Sequence, residues 1–198
     1  MAESLPQIAA FLLELDALKL VERRTYIDGG TRLENSAEHS WHVGLAAWAL
    51  AGHLKLDVDL GKLLQLALVH DLGEMRAGDT FLYAADRGEA ADRERQGISR
   101  IADKYGAVLP GLVSLWEEQQ SAATPEARLL RIADRLLPFL HNVASEGKTW
   151  REHGVAKNQI MQAHAFIEKD APALFQWMKD ELENADQKGW LPLSGFGR

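Results

Sequence analysis

Cysteine is missing from all 198 positions of the chain. Its absence excludes a disulfide framework, a zinc ribbon and a thiol nucleophile. Any bound metal must therefore rest on histidines and carboxylates, a set suited to Mn, Co, Fe, Ni, Zn or Mg rather than to Cu(I) or an iron–sulfur cluster. Apolar runs are short. None approaches the ~20 residues of a membrane-spanning helix, and the N-terminal stretch with Glu3, Pro6 and Glu14 lacks the basic start and apolar core of a signal peptide. The expectation is a cytoplasmic protein with no membrane partner. Basic charge is in deficit as well: 22 Lys and Arg face 29 Asp and Glu, a net charge of −7. That disfavours a nucleic-acid polymer as partner. It does not disfavour a small anionic substrate, because a metal ion and a few arginines invert the field locally.

No convincing strand, internal repeat or low-complexity linker stands out, and the length suits a single domain over residues 1–198. Helical periodicity is the strongest signal. Residues 5–20 carry it through Leu5, Ile8, Ala9, Leu12, Leu15 and Leu18. Residues 23–34, polar and containing Gly29 and Gly30, read as a loop. Asn35 then reads as an N-cap, with Glu38 three residues on in a capping-box arrangement, for a helix running to about Gly52. Residues 58–72 are so dense in Leu and Ala that their helix belongs in the centre of the fold. After a largely loop-like stretch over 73–88, helical patterns resume at 89–104, 109–120, 125–146, 155–170 and 171–187. Pro110, Pro125 and Pro172 fit first-turn positions, whereas Pro138 falls inside a helical pattern and is expected to kink or interrupt it. The tail 189–198 is expected to be flexible in part. The fold class is all-α. The six tryptophans suit core and subunit-contact positions, with Trp150 and Trp177 marking where to look for a dimer contact.

His70 and Asp71 stand at the end of the most apolar helix, where an ionised carboxylate is costly unless paired or bound to a metal. Asp134 poses the same problem, sharing a helix face with Leu130 and Leu137, while Arg131 and Arg135 are expected to point to other faces. His39, one turn inside its helix, supplies a fourth ligand. Two histidines and two aspartates leave coordination positions open for water and substrate, as metal-assisted hydrolysis requires. Glu74 and Asp79 follow closely as candidate catalytic acids, and Arg24 is a candidate phosphate clamp. The doublet Arg23-Arg24 leaves open which arginine reaches the phosphate. His42, His53, His141, His153 and His164 read as structural or surface residues; His42, at i+3 from His39, is placed to support it. Glu38 reads as a cap, and Glu117 and Glu118 as a solvated helix end.

The segments Glu34-Asn35-Ser36-Ala37-Glu38-His39-Ser40, Leu68-Val69-His70-Asp71-Leu72-Gly73-Glu74 and Ala77-Gly78-Asp79-Thr80 closely resemble the HD-domain phosphohydrolases. Within that superfamily they look most like the 5′-deoxynucleotidase branch. Leu115-Trp116-Glu117-Glu118, Thr124-Pro125-Glu126-Ala127-Arg128 and Asp134-Arg135 match as well, so the resemblance covers residues 11–185. It implies an HD-domain helical bundle around a buried central helix carrying the His-Asp pair. It implies one divalent metal ion held by His39, His70, Asp71 and Asp134, with Glu74 and Asp79 as catalytic acids and Arg24 on phosphate. It also implies release of phosphate from nucleoside, and more narrowly 2′-deoxynucleoside, 5′-monophosphates by a homodimer. Some members of the branch carry a tryptophan directly after the phosphate-binding arginine; after Arg24 the position is Thr25. Competing readings keep the site and change the bond, as in HD-type phosphodiesterases and pyrophosphohydrolases, or keep the metal without turnover, as in a nucleotide sensor.

Overall fold

A computed structural model describes residues 5–84 and 87–192. It is helical apart from one small ribbon. In chain order the elements are α1 (Leu5–Glu14), a tighter 3₁₀ stretch (Leu15–Leu20), β1 (Glu22–Ile27), β2 (Arg32–Asn35), α2 (Ser36–Leu54), α3 (Leu60–Val69), α4 (Glu74–Ala77) and α5 (Arg87–Tyr105). There follow α6 (Leu112–Ser121), α7 (Pro125–Ala144), α8 (Lys148–Glu152), α9 (Lys157–His164), α10 (Ile167–Asp170) and α11 (Pro172–Gln187). None of the described helices is long and apolar enough to cross a membrane.

Local chemistry sets the helix starts. Asn35 Oδ1 accepts from Glu38 N at 3.0 Å, and Glu38 Oε1 accepts from Asn35 N at 2.7 Å, closing the capping box of α2. Asp59 and Thr124 cap α3 and α7 through their side chains. Pro125 and Pro172 open α7 and α11. Pro110 does not open α6: it precedes Gly111, whose left-handed φ of 80° turns the chain into the helix at Leu112. Pro138 does not interrupt α7, which runs unbroken from Pro125 to Ala144.

The helices pack through three apolar clusters. Val43, Ala47 and Ala51 of α2 meet Leu63, Leu66 and Ala67 of α3 and Leu129, Leu130, Ala133 and Leu137 of α7. Ile132, Leu136 and Phe139 of α7 turn to Trp150 and to Phe175, Met178 and Leu182 of α11. Phe11, Ile98, Ile101, Leu112 and Trp116 join α1, α5 and α6. Helix α3 enters the core through one face only, since Leu68 is exposed, and α7, apolar on two faces, shares the centre with it. Trp150 is fully buried and so belongs to the core, not to a subunit contact; Trp177 is exposed. Of the tail, Leu191 is buried against the α7–α11 cluster, and residues 193–198 lie outside the described residues.

The segment 23–34, read as a loop, is instead an antiparallel ribbon, with Tyr26 opposite Leu33 and Ile27 opposite Arg32. Asp28, Gly29 and Gly30 turn it with φ values of 51°, 64° and 97°. Its charged composition hides the strand pattern. Alternation is nevertheless present: Arg23 and Thr25 are buried, while Glu22 and Arg24 are exposed.

Candidate metal centre

Three elements deliver the four candidate ligands. The capping box fixes the first turn of α2 and with it His39. Helix α7 carries Asp134 against α2. Helix α3 ends at Val69, and the chain folds through a tight turn in which Leu72 N bonds Val69 O at 3.2 Å and Glu74 N bonds Asp71 O at 2.9 Å. That turn presents His70 and Asp71. His39 Nε2 lies 3.0 Å from Asp134 Oδ1, His70 Nε2 lies 3.2 Å from Asp71 Oδ1, and the two imidazole centroids are 5.6 Å apart. His39, His70 and Asp71 each offer a ligand atom within 4.8 Å of the others.

The donor set fits a cation. His70 Nδ1 donates to Ala67 O at 2.7 Å, which leaves the Nε2 lone pair pointing away from the helix. That Nε2 is buried without a hydrogen-bond partner and faces a carboxylate oxygen. Two lone pairs opposed at that distance repel unless a positive charge lies between them. His39 Nδ1 in turn faces Glu34 Oε2 at 3.0 Å, the carboxylate–histidine arrangement that orients and strengthens a metal-binding imidazole.

Charge is concentrated around this point. Burial and Arg23 act to lower the His39 pKa, but Asp134 and Glu34 outweigh them and push it up to about 9. Burial acts to raise Asp134, but Arg135 and His39 hold it well below the usual carboxylate range. Arg135 Nη1 reaches Asp134 Oδ2 at 2.8 Å, so adjacent helix residues meet here despite their different faces, because a long arginine side chain folds back. Arg23 is buried with Nη1 at 3.0 Å from Asp71 Oδ2, 3.4 Å from Asp79 Oδ1 and 4.0 Å from Glu74 Oε1. Its Nε lies 3.3 Å from Glu34 Oε2. Burial, reinforced by Asp71, raises Glu74 well above an ordinary carboxylate, and Ser36 Oγ donates to its Oε2 at 2.6 Å. Burial likewise raises Asp79, against the pull of Arg23.

His70, Asp71, Asp134, Arg23, Glu74 and Asp79 border a cavity of about 310 Å³, whose walls also include Arg24, Thr25, Thr80, Phe81, Tyr83, Arg131 and Arg135. The structure thus brings together His39, His70, Asp71, Asp134, Glu74 and Asp79. It separates the arginine doublet: Arg23 turns inward among the acids, while Arg24 is exposed at the cavity wall and its carbonyl accepts from Thr149 Oγ1 at 2.9 Å. The sequence leaves Arg23 open as the alternative to Arg24 without placing it among the acids, and it gives Glu34 no role in the centre. Strand alternation through Arg23 and Thr25 was the available signal for the first. For Glu34 it was its place one residue before the α2 cap.

The HD domain family model matches residues 15–175. Among solved structures, a predicted metal-dependent phosphohydrolase from Magnetospirillum magnetotacticum MS-1 shares 34% identity with a TM-score of 0.85, and 95% of each chain is covered. A protein from Pyrococcus horikoshii OT3 shares 27% identity with a TM-score of 0.59, covering 90% of this chain and 98% of that one. The 5′-deoxynucleotidase HDDC2 of Danio rerio is 28% identical over 131 residues, 64% of this chain and 63% of its own length. The match therefore spans just under two thirds of that relative. A 5′-deoxynucleotidase of Enterobacter sp. (strain 638) is 26% identical over 168 residues, 80% of both chains.

Proposed function

The chain belongs to the HD domain family, and on that premise we propose that it is a metal-dependent phosphohydrolase releasing inorganic phosphate from nucleoside 5′-monophosphates, 2′-deoxynucleotides foremost. The observation that carries the reading is the convergence of two imidazole–carboxylate pairs, His39–Asp134 and His70–Asp71, beside a buried arginine at a cavity. The names of two curated relatives support the nucleotide as substrate.

In this reading His39, His70, Asp71 and Asp134 hold one divalent ion. When bound, the ion supplies a Lewis acid for the phosphoryl oxygens and makes a water more acidic. The protein does the rest. Arg23, already fixed by its carboxylate contacts, neutralises charge on the phosphoryl group. Arg24 then takes the position directly after the phosphate arginine, at the cavity wall where the sugar enters. Glu74 and Asp79, both shifted upward by burial, exchange protons with the attacking water and with the leaving 5′ oxygen. Phe81 and Tyr83, with ring centroids 5.3 Å apart, offer an apolar wall for the nucleoside.

The test is phosphate release by protein prepared metal-free, from ribo- and deoxyribonucleoside 5′-monophosphates, with Mn, Co, Mg, Zn, Ni and Fe(II) added singly. Release that needs a metal and falls at least ~100-fold in Asp71→Ala and Glu74→Ala supports the reading. No release with any metal sinks it.

A homodimer completes the reading. Trp41, Leu45 and Trp48 are 64%, 43% and 51% exposed and share one face of α2 at i, i+4 and i+7 spacing. Light scattering is expected to give twice the chain mass for the wild type and the single mass for Trp48→Glu; a monomeric wild type rejects the dimer.

A further inference from the structure

A second group of possible ligands lies outside the centre just described. Glu34 of β2, His42 of α2 and His141 of α7 each offer one ligand atom, and the three atoms lie within 4.8 Å of one another. None of the three lines the catalytic cavity. We propose that Glu34, His42 and His141 form a second cation site, for a first-row divalent transition ion of the zinc or cobalt(II) kind, distinct from the centre at His39, His70, Asp71 and Asp134.

Three observations carry the proposal. First, His141 Nδ1 is buried without a hydrogen-bond partner, and Glu34 Oε2, which touches His39 Nδ1 and Arg23 Nε, lies in the same group. A buried polar atom is rarely left unpaired, and an ion satisfies imidazole nitrogen and carboxylate oxygen together. Second, the rings of His42 and His141 sit with centroids 5.4 Å apart and planes inclined at 44°, an arrangement that lets one nitrogen of each approach a common point. Both histidines are half-buried and Glu34 is fully buried, so the group is anchored at one end and reachable at the other. Third, the donor set is selective. Two imidazoles and one carboxylate suit zinc, cobalt or nickel, whereas magnesium and calcium require oxygen ligands. Metal–ligand bonds of ~2.0–2.2 Å place tetrahedral ligand atoms ~3.4 Å apart. The ligand atoms already lie within 4.8 Å of one another, and the half-buried histidines supply any closure that remains.

Glu34 makes the two sites communicate. Its Oε2 lies 3.0 Å from His39 Nδ1 and 3.3 Å from Arg23 Nε. Arg23 shares that carboxylate, and its positive charge is already met by Asp71, Asp79, Glu74 and Asp134. An ion at His42 and His141 draws on the same carboxylate that supports His39. Filling the second site should therefore weaken the first by ~10-fold or more, as loss of a carboxylate partner does for other metal-binding imidazoles.

The experiment is metal stoichiometry, read by elemental analysis after dialysis against zinc or cobalt(II). Wild type, Asp71→Ala, His141→Ala and the double variant are expected to retain two, one, one and no tightly bound ions. His42→Ala is the second probe of the same site and should behave as His141→Ala, with far-UV circular dichroism checking that each variant is folded. The cobalt form of Asp71→Ala should show visible absorption bands that vanish in the double variant. One ion in the wild type, or two in folded His141→Ala and His42→Ala, overturns the proposal. The Asp71→Ala arm isolates a failure of the catalytic centre: if that variant keeps both ions, the assignment of Asp71 falls, while the comparison of His141→Ala with wild type still decides the second site.

Discussion

Arg23 is the residue on which the charge balance of the centre turns. One guanidinium faces Asp71, Asp79, Glu74 and Glu34 within 4.0 Å, all of them largely withdrawn from water. Removing it leaves several carboxylates in low dielectric with one cation fewer, and losing a partner of a buried pair typically costs ~3–5 kcal/mol. Arg23→Met should therefore lower the urea-unfolding free energy of the metal-free protein by about that amount. A divalent ion bound at His70 and Asp71 supplies compensating charge. The loss should accordingly shrink when the same titration is run with saturating metal. Equal losses with and without metal would mean that Arg23 does not share its carboxylates with an ion. Arg24→Met, at an exposed position of the same strand, should change stability by less than ~0.5 kcal/mol.

At the scale of elements, the turn that bears Asp71 and Glu74 is held in place by an approach of two backbones. A Cβ added at Gly97 of α5 would stand 2.5 Å from Gly73 O, and one added at Gly73 would stand 2.7 Å from Glu94 O. Only glycine permits this crossing, because both obstacles are main-chain atoms that no rotamer change can move. Gly97→Ala should push α5 off the turn, costing ~1–3 kcal/mol of stability and lowering metal affinity as well. Gly88→Ala, in the same helix with nothing within 4 Å of its added Cβ, should be neutral or stabilising by up to ~1 kcal/mol. Calorimetry and metal titration of the pair check both expectations. The contrast also marks how far a sequence can be read. Asn35 with Glu38, and Pro125 and Pro172, announce their helices because caps and first turns depend on neighbours within four residues. His70-Asp71 stands out because polar residues closing an apolar helix need a reason. The Gly73–Gly97 crossing, the inward turn of Arg23 and the contact of Glu34 with His39 depend on elements that meet only after folding. The β1–β2 ribbon stays hidden because its strand alternation is carried by arginines, threonine and glutamates rather than by apolar residues.

For the molecule as a whole, the N-terminal helix, packed on the body through Phe11, is also tied to it by one acidic residue at its end. Glu14 closes α1 and accepts from Lys104 Nζ at 2.6 Å and Tyr105 Oη at 2.7 Å in α5, and from Arg76 Nη2 at 3.1 Å in α4. The Lys104 and Tyr105 hydrogen bonds, helped by Arg76, lower its pKa from 4.5 to about 2. A carboxylate whose folded pKa lies below its unfolded value binds its proton more readily in the unfolded chain. Its stabilisation is therefore complete above about pH 4.5 and is lost as the pH falls from there toward 2. Lys104 and Arg76 are 59% and 60% exposed, so solvent screening reduces the contribution to ~1 kcal/mol. Glu14→Gln should lower stability by about that much at pH 7 and by progressively less below pH 4.5, so that the two unfolding curves converge as the acid limb is approached. High salt should also narrow the gap at pH 7, because two of the three partners are reachable by counterions. A difference between wild type and Glu14→Gln that stayed constant from pH 7 to 3 would assign the contact to packing and neutral hydrogen bonding. The docking of α1 would then be independent of charge.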